Sequence, residues 1–424
     1  MPAPPSDPRP TTRSATAVTL LGASTLTVMA PTIVAPALPS IARAFAETPS
    51  VDVLVPLVLT LPALVIAMTA SAVGVLVDRR GRRPVLVGGI LLYGLAGGTG
   101  LVVGSLPALL AGRVALGLAV ALVLTAVTTL IADLYGGADR GRMLSRQAAA
   151  MGVSGMLFTG VSGFLAAASW RWSFLLYPLA WLLLPVVLRV VPEPTRVGAP
   201  GTRGATGRHA AVAGPGTVTT PGWQEDPTPQ PQPMARAAAI VVTVSIALLM
   251  GVQVLFYLLP VQLPFVLEEV FGLGPARTGM LVAIPPLAYA GASLLATRLA
   301  TDRRRASVVA VAAAVTGTGY LAIGTATSLW AVALGLVIGG AGLGLIVPNL
   351  VAWVAQAAPA HLRGRLVGVM TSALFLGQFL SPLVWSPVVG ALGRQAALSV
   401  ASATMLAVVP MALGLDALRR VRER

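Results

Sequence analysis

The chain has 424 residues, 56% of them hydrophobic and only 10% charged, with a mean hydropathy of +0.85. Soluble proteins carry roughly 45–50% apolar and about 25% charged residues, and disorder needs low hydrophobicity with high net charge, so both classes are excluded. The net charge of +15 would suggest nucleic acid, but all 29 basic residues are Arg, which beside so much Ala, Gly and Val reads as compositional bias. The absence of Cys removes disulfide and thiolate chemistry, and the two histidines, His209 and His361, lie too far apart in sequence to suggest a zinc site.

A bilayer core about 30 Å thick takes about 20 apolar residues as a helix. The first such stretch is 17–42. Arg9 and Arg13 precede it, and Ala44-Phe45-Ala46 resembles a cleavage site. The run exceeds the roughly 7–15 apolar residues of a secretory signal, so it reads as an uncleaved helix. It ends Met29-Ala30-Pro31, then Ala37-Leu38-Pro39.

The second span is 53–77, followed by Gly74-Val75-Leu76-Val77-Asp78-Arg79-Arg80-Gly81-Arg82-Arg83. Gly74 would let helices approach closely, and Gly81 would permit a tight turn. Asp78 could accept charge-assisted bonds from arginines and helix N-termini across a seam between two halves. A plain basic loop would explain the arginines but not Gly74 and Asp78 at this spacing.

The third and fourth spans are 84–104 and 106–133. The fourth holds Gly112-Arg113-Val114-Ala115-Leu116-Gly117. An arginine inside a span costs roughly 2.5–3.5 kcal/mol, so it is a functional candidate that must face the bundle interior. Snorkelling to the near end is the competing reading. Asp133 closes this span as a solvated helix-end acid or, as the family resemblance given below implies, as a charge-relay partner of loop arginines such as Arg82.

The fifth and sixth spans, 144–168 and 172–190, complete a first half at 17–190 after an N-terminal tail at 1–16. Residues 191–235 are rich in Pro, Gly and Thr without apolar periodicity and read as a flexible linker. Six further spans follow at 236–263, 278–300, 306–325, 329–356, 365–388 and 394–415, within a second half at 236–415 and before a tail at 416–424. Offset by 223 residues, 105–142 aligns without gaps on 328–365 with eleven identities in 38 positions, including Arg140-Gly141-Arg142 on Arg363-Gly364-Arg365. Two parallel repeats place a transport site between them near the midplane.

The loop at 74–83 resembles the signature of the major facilitator superfamily, and Arg113 with Gly117 is similar to its fourth-helix motif. The alanine-leucine-proline at 37–39 looks like the first-helix ending of its drug:proton antiporters with twelve spans. The resemblance implies an all-α membrane protein of 12 transmembrane helices in two pseudo-symmetric six-helix bundles, working by rocking. It implies a role in proton transfer for Arg113, and conformational roles for Gly74, Asp78, Arg79, Gly81, Arg82, Arg83 and Asp133. Two departures stand out. Ala30 occupies a position where many relatives carry Asp. The fifth-span stretch Phe158-Thr159-Gly160-Val161-Ser162-Gly163 lacks the proline usual in exporters.

With a cytoplasmic N-terminus, 24 of the 29 arginines fall on the inner side, four outside and one, Arg113, within a span. That bias predicts a multi-pass protein of the cell membrane with both termini cytoplasmic. None of the 14 acids lies mid-span. If protons are coupled, the expected carriers are Glu268, Glu269 and Asp52 at the outer mouth, with Arg113 setting their pKa. Polar and aromatic residues predict the substrate cavity: Gln253, Tyr257, Gln262, Tyr289, Asn349, Trp353 and Gln378.

The reading is a secondary transporter, active as a monomer, exporting a hydrophobic or amphipathic small molecule, a drug or secondary metabolite, by proton antiport. The alternatives are uptake or facilitated diffusion and, more remotely, a membrane-embedded enzyme. No cofactor, metal or nucleic acid is expected, and without Lys the phosphate-binding loop of an ATP-driven pump cannot form.

Overall fold

The computed structural model describes residues 10–193, 236–299, 305–357, 359 and 362–414. Both tails beyond those limits lie outside the described residues, as do linker positions 194–235 and both histidines. Among the described residues all regular structure is helical.

Twelve helices are long and apolar enough to cross a membrane: α1 Ser14–Ala44, α2 Val51–Arg80, α3 Arg82–Leu101, α4 Leu106–Leu134, α5 Asp139–Ala168, α6 Trp170–Val190, α7 Ala239–Phe271, α8 Pro275–Leu295, α9 Ala306–Gly324, α10 Leu329–Val354, α11 Arg365–Leu392 and α12 Arg394–Gly414. Each matches one expected span. The largest difference is α7, which continues through Pro260 and Pro264 instead of stopping at 263. That extension puts Glu268 and Glu269 on helix rather than in a loop.

α1 is interrupted. Its regular helix ends at Thr32, a 3-10 turn covers Ala35–Ala37, and helix resumes at Leu38. Pro31, Pro36 and Pro39 supply no N–H donors, so carbonyls here lose helical partners. The Ser162 hydroxyl of α5 donates to the Ile33 carbonyl. Buried membrane backbone needs such substitutes because no water reaches it.

The repeat seen in sequence recurs as packing. A Cβ built on Gly117 of α4 would lie 2.7 Å from the Pro62 carbonyl oxygen of α2, and one on Gly340 of α10 would lie 2.9 Å from the Pro285 carbonyl oxygen of α8. Both members of each pair are 223 residues apart. Small residues let backbones touch where lipid supplies no hydrophobic drive between helices. Large apolar side chains such as Val102, Leu182 and Trp330 point outward and exposed, as a lipid-facing surface requires.

The halves meet along two seams. At one, the Ser372 hydroxyl of α11 donates to the Ala67 carbonyl of α2 at 3.2 Å. At the other, a Cβ on Gly163 of α5 would lie 2.8 Å from Gly279 Cα of α8. Gly163 is the retained residue of the degenerate fifth-span stretch, and its packing role does not need the missing proline.

Candidate functional site

Both seams run between two ends of unlike chemistry. At one end, each half contributes one cation and at least one acid. Arg43 of α1 forms an ion pair with Glu268 of α7. Arg394, which begins α12, pairs with Glu269 at 2.8 Å and reaches Asp52 of α2 at 3.8 Å. Its Nη1 also donates to Gln262 Oε1 at 2.8 Å, and its guanidinium lies 4.3 Å from the Phe265 ring centre. The Arg394 side chain is only 18% exposed, but Glu269 and Asp52 are 52% and 83% exposed, so solvent screens both ion pairs and the contact with buried Gln262 is the shielded one. Arg43–Glu268 and Arg394–Asp52 both cross from one half to the other.

Thus the three acids expected at the outer mouth do converge, each on an arginine. Gln262, expected in the substrate cavity, instead belongs to this cluster. Gln262 lies inside the expected span, and nothing local in the sequence links it to Arg394, 132 positions away.

The opposite end is arranged within the first half. Arg82 pairs with Asp133 at 3.0 Å and with Asp78 at 3.7 Å. The expected Arg82–Asp133 relay partners are therefore adjacent. Asp78 does not bridge the halves: it is 72% exposed, and among the described residues its ion-pair partner is Arg82. A Cβ on Gly74 would meet nothing within 4 Å, so the close helix approach expected there is absent. Both corrections have one physical reason: α11 stands away from α2 at this end.

Gly81 has φ +100°, a conformation that L side chains rarely adopt, and a Cβ there would lie 2.6 Å from Glu193 Oε1. Glu193 accepts from the Arg82 and Arg83 backbone N–H groups, both at 2.7 Å. It thereby satisfies two orphan donors at the N-terminus of α3, where the helix dipole favours a carboxylate. The Arg83 guanidinium donates to the Leu188 carbonyl, and Arg79 lies in the last turn of α2. Sequence reading missed Glu193, whose only local signal is an acid between Pro192 and Pro194.

Arg113 is fully buried. It donates to Tyr177 Oη at 3.0 Å and to the Gly97 carbonyl at 2.9 Å, and it faces the Phe174 and Tyr177 rings at 4.9 and 5.0 Å. Tyr177 Oη donates onward to the Ala30 carbonyl at 2.6 Å. Ring faces within about 6 Å attract a guanidinium. Arg113 therefore forms no ion pair with Asp52, Glu268 or Glu269 among the described residues. Among the described residues its Nε has no hydrogen-bond partner. The snorkelling reading fails, because the head group is enclosed. Arg113→Met is expected to leave the melting temperature of the detergent-purified protein unchanged or higher, since a guanidinium buried without a counter-charge carries a desolvation cost that the apolar side chain removes. A lower melting temperature would show that the guanidinium staples α3, α4 and α6 together.

A cavity of about 370 Å³ lies between the halves, lined by Ile66, Ala70 and Ser71 of α2, Ala121, Leu124, Thr125 and Thr128 of α4, and Val367, Gly368 and Thr371 of α11. None of the seven expected cavity residues lines it. Gln253, Tyr257, Trp353 and Gln378 are buried, the Asn349 amide donates to the Leu345 carbonyl of its own helix, and Tyr289 stacks on Phe256 at 6.4 Å. These residues pack among the helices or, as Asn349 and Gln262 do, bond to backbone or to Arg394. Among the described residues no cluster of three or more potential metal ligands occurs.

Two helical halves that meet along seams of small residues, with ion pairs between the halves at one end, have the architecture of a membrane transporter. A profile of the Major Facilitator Superfamily matches residues 20–382. The chain belongs to that superfamily. Its structure is similar to that of the human organic anion transporter MFSD10 (TETRAN), at 19% identity and TM-score 0.66, covering 96% of this chain and 100% of that one. It is also similar to the inward-open xylose transporter XylE from E. coli, at 15% identity and TM-score 0.71, covering 95% and 96%. A third similar structure is a bacterial homologue of the human lysosomal transporter Spinster, inward-facing and unoccupied, at 16% identity and TM-score 0.70, covering 97% of each. No curated protein sequence matches this chain.

Proposed function

We propose that the protein exports an uncharged or amphipathic organic solute, a drug or secondary metabolite, across the cell membrane by alternating access and proton antiport, as a monomer. The observation that carries this reading is the asymmetry of the two ends. Reciprocal ion pairs close one end, while at the other Gly74 stands open and Asp78 is exposed. Arginine placement supports a cytoplasmic location for the open end and for both termini. Solute then enters from the cytoplasm and leaves when the ion-paired gate parts.

In this reading Glu268, Glu269 and Asp52 carry the coupled protons. Each is held by an arginine while the gate is closed and becomes free to take a proton when it opens. Asp78, Arg79, Arg82, Arg83 and Asp133 form the opposing latch, which closes when α11 comes down onto Gly74. Residues 191–235 connect the two halves.

A second reading, uptake or facilitated diffusion, is favoured by the missing fifth-span proline. The sugar symporter among the similar structures keeps it in view. Proteoliposomes with an imposed pH gradient and a lumenal pH dye separate the two. Export by antiport is expected to show solute-driven proton movement that is lost in the Asp52→Asn/Glu268→Gln/Glu269→Gln variant. Solute flux that persists after the gradient is collapsed, with no proton movement, would establish the facilitator instead.

A further inference from the structure

The cavity between α2, α4 and α11 has a definite chemistry. No ionisable side chain lines it. Asp78 stands seven residues beyond Ser71 on α2, about 10 Å by helical rise. Ser71, Thr128, Val367 and Gly368 are exposed, so a charged ligand would lose only part of its hydration here, but it would meet no counter-charge, which disfavours it. The walls are mainly aliphatic, with four hydroxyls.

Those hydroxyls are not equivalent. Thr128 donates to the Leu124 carbonyl at 2.8 Å and Thr371 to the Val367 carbonyl at 2.9 Å, so both offer lone pairs only. Ser71 and Thr125 make no side-chain hydrogen bond among the described residues and keep a free donor each. A volume near 370 Å³ lies within the range of small-molecule pockets, about 300–1,000 Å³.

We infer that this cavity is a binding site for an uncharged, largely apolar organic molecule bearing a carbonyl or hydroxyl group, held across the seam between the halves. The inference rests on the transporter reading and names the substrate class and its place. Ser71 and Thr125 donate to the ligand's oxygen, and Thr128 and Thr371 accept from any hydroxyl it carries. Because α11 belongs to the second half and α2 and α4 to the first, rocking of the halves reshapes the site. The bound molecule therefore senses the conformational state.

Gly368 offers a direct test, because a Cβ there would meet nothing within 4 Å and the chain has no other cysteine. Gly368→Cys is labelled with N-ethylmaleimide in purified protein, with Gly136→Cys, at an exposed turn, as the reference. Chloramphenicol and progesterone serve as uncharged probes, ethidium and fluorescein as cationic and anionic ones. The expected result is that at least one uncharged probe slows labelling at 368 fivefold or more, by an estimate that takes about 80% occupancy of the site at [L] near 4 Kd. Labelling at 136 is unchanged, and the charged probes alter neither. No protection by either uncharged probe, or protection only by a charged one, overturns the inference. The gate variants discussed below do not involve this cavity, so normal gate behaviour with no protection would remove the site and leave the transporter reading standing.

Discussion

Arg394→Ala is expected to shift the protein toward the state that is open at the ion-paired end by about 1.4–5-fold, the range of an exposed ion pair worth roughly 0.2–1 kcal/mol. Of its three partners only Asp52 lies on the other half, while Glu269 and Gln262 share the second half with Arg394 and aim the guanidinium across the gate. Gln262 is only 3% exposed, so its orphaned carbonyl also costs the second half some stability as an unsatisfied buried acceptor. Arg394→Lys should recover only part of the effect, since an ammonium cannot hold Glu269 and Gln262 with a planar fork. Spin labels at Glu47→Cys and Val270→Cys, one on each half, read the gate as an interspin distance. Arg43→Glu should lengthen it as well, because it sets a carboxylate opposite Glu268 across the gate. The exchange Arg43→Glu/Glu268→Arg should restore it. A distance distribution unaltered by Arg394→Ala would remove the gate from the mechanism.

Gly163→Leu is expected to abolish transport while leaving the helices folded. A Cβ at 163 would lie 2.7 Å from the Pro275 carbonyl oxygen and 2.8 Å from Gly279 Cα. These are backbone atoms, so no side-chain rotation relieves the contact. Overpacking of this kind costs typically about 1–3 kcal/mol, and here it falls on the α5–α8 seam along which the halves must move. Gly160→Leu is the control on the same helix, because a Cβ there would meet nothing within 4 Å. Transport rates in proteoliposomes, alongside circular dichroism, test the pair. Equal transport by the two variants would show that the seam tolerates a side chain and does not limit the motion.

The boundaries of the twelve spans were legible because desolvation acts on contiguous sequence. A stretch such as 106–133 must leave water as a unit, and its hydropathy alone announces it. The repeat was legible for a related reason: Gly117 and Gly340 are needed where backbones cross, and no other residue type would do. The family resemblance named an Arg82–Asp133 relay beside the alternative of a solvated helix-end acid, and the structure sets the two side chains 3.0 Å apart.

What failed was partner choice. Gln262 was read as a cavity residue, yet it completes the coordination of Arg394, 132 positions away. Arg113 was expected to tune acids at the mouth, yet two carbonyl or hydroxyl oxygens and two ring faces surround it. Gly74 was expected at a close crossing, yet it stands free in this conformation. A motif marks a position that some state uses, and the sequence does not say which state is occupied.

By itself, the sequence determined the class: a multi-pass all-helical chain, duplicated, with its basic loops on one side and one arginine inside. These properties follow from local hydrophobicity and composition, which act residue by residue along the chain. Only the tertiary structure decided which charges meet, which glycines bear contacts, and where empty space remains. Those depend on the rotation and tilt of helices far apart in sequence, set by the packing of the whole bundle. The ion-paired end and the uncharged cavity at the α2–α11 seam are therefore products of packing.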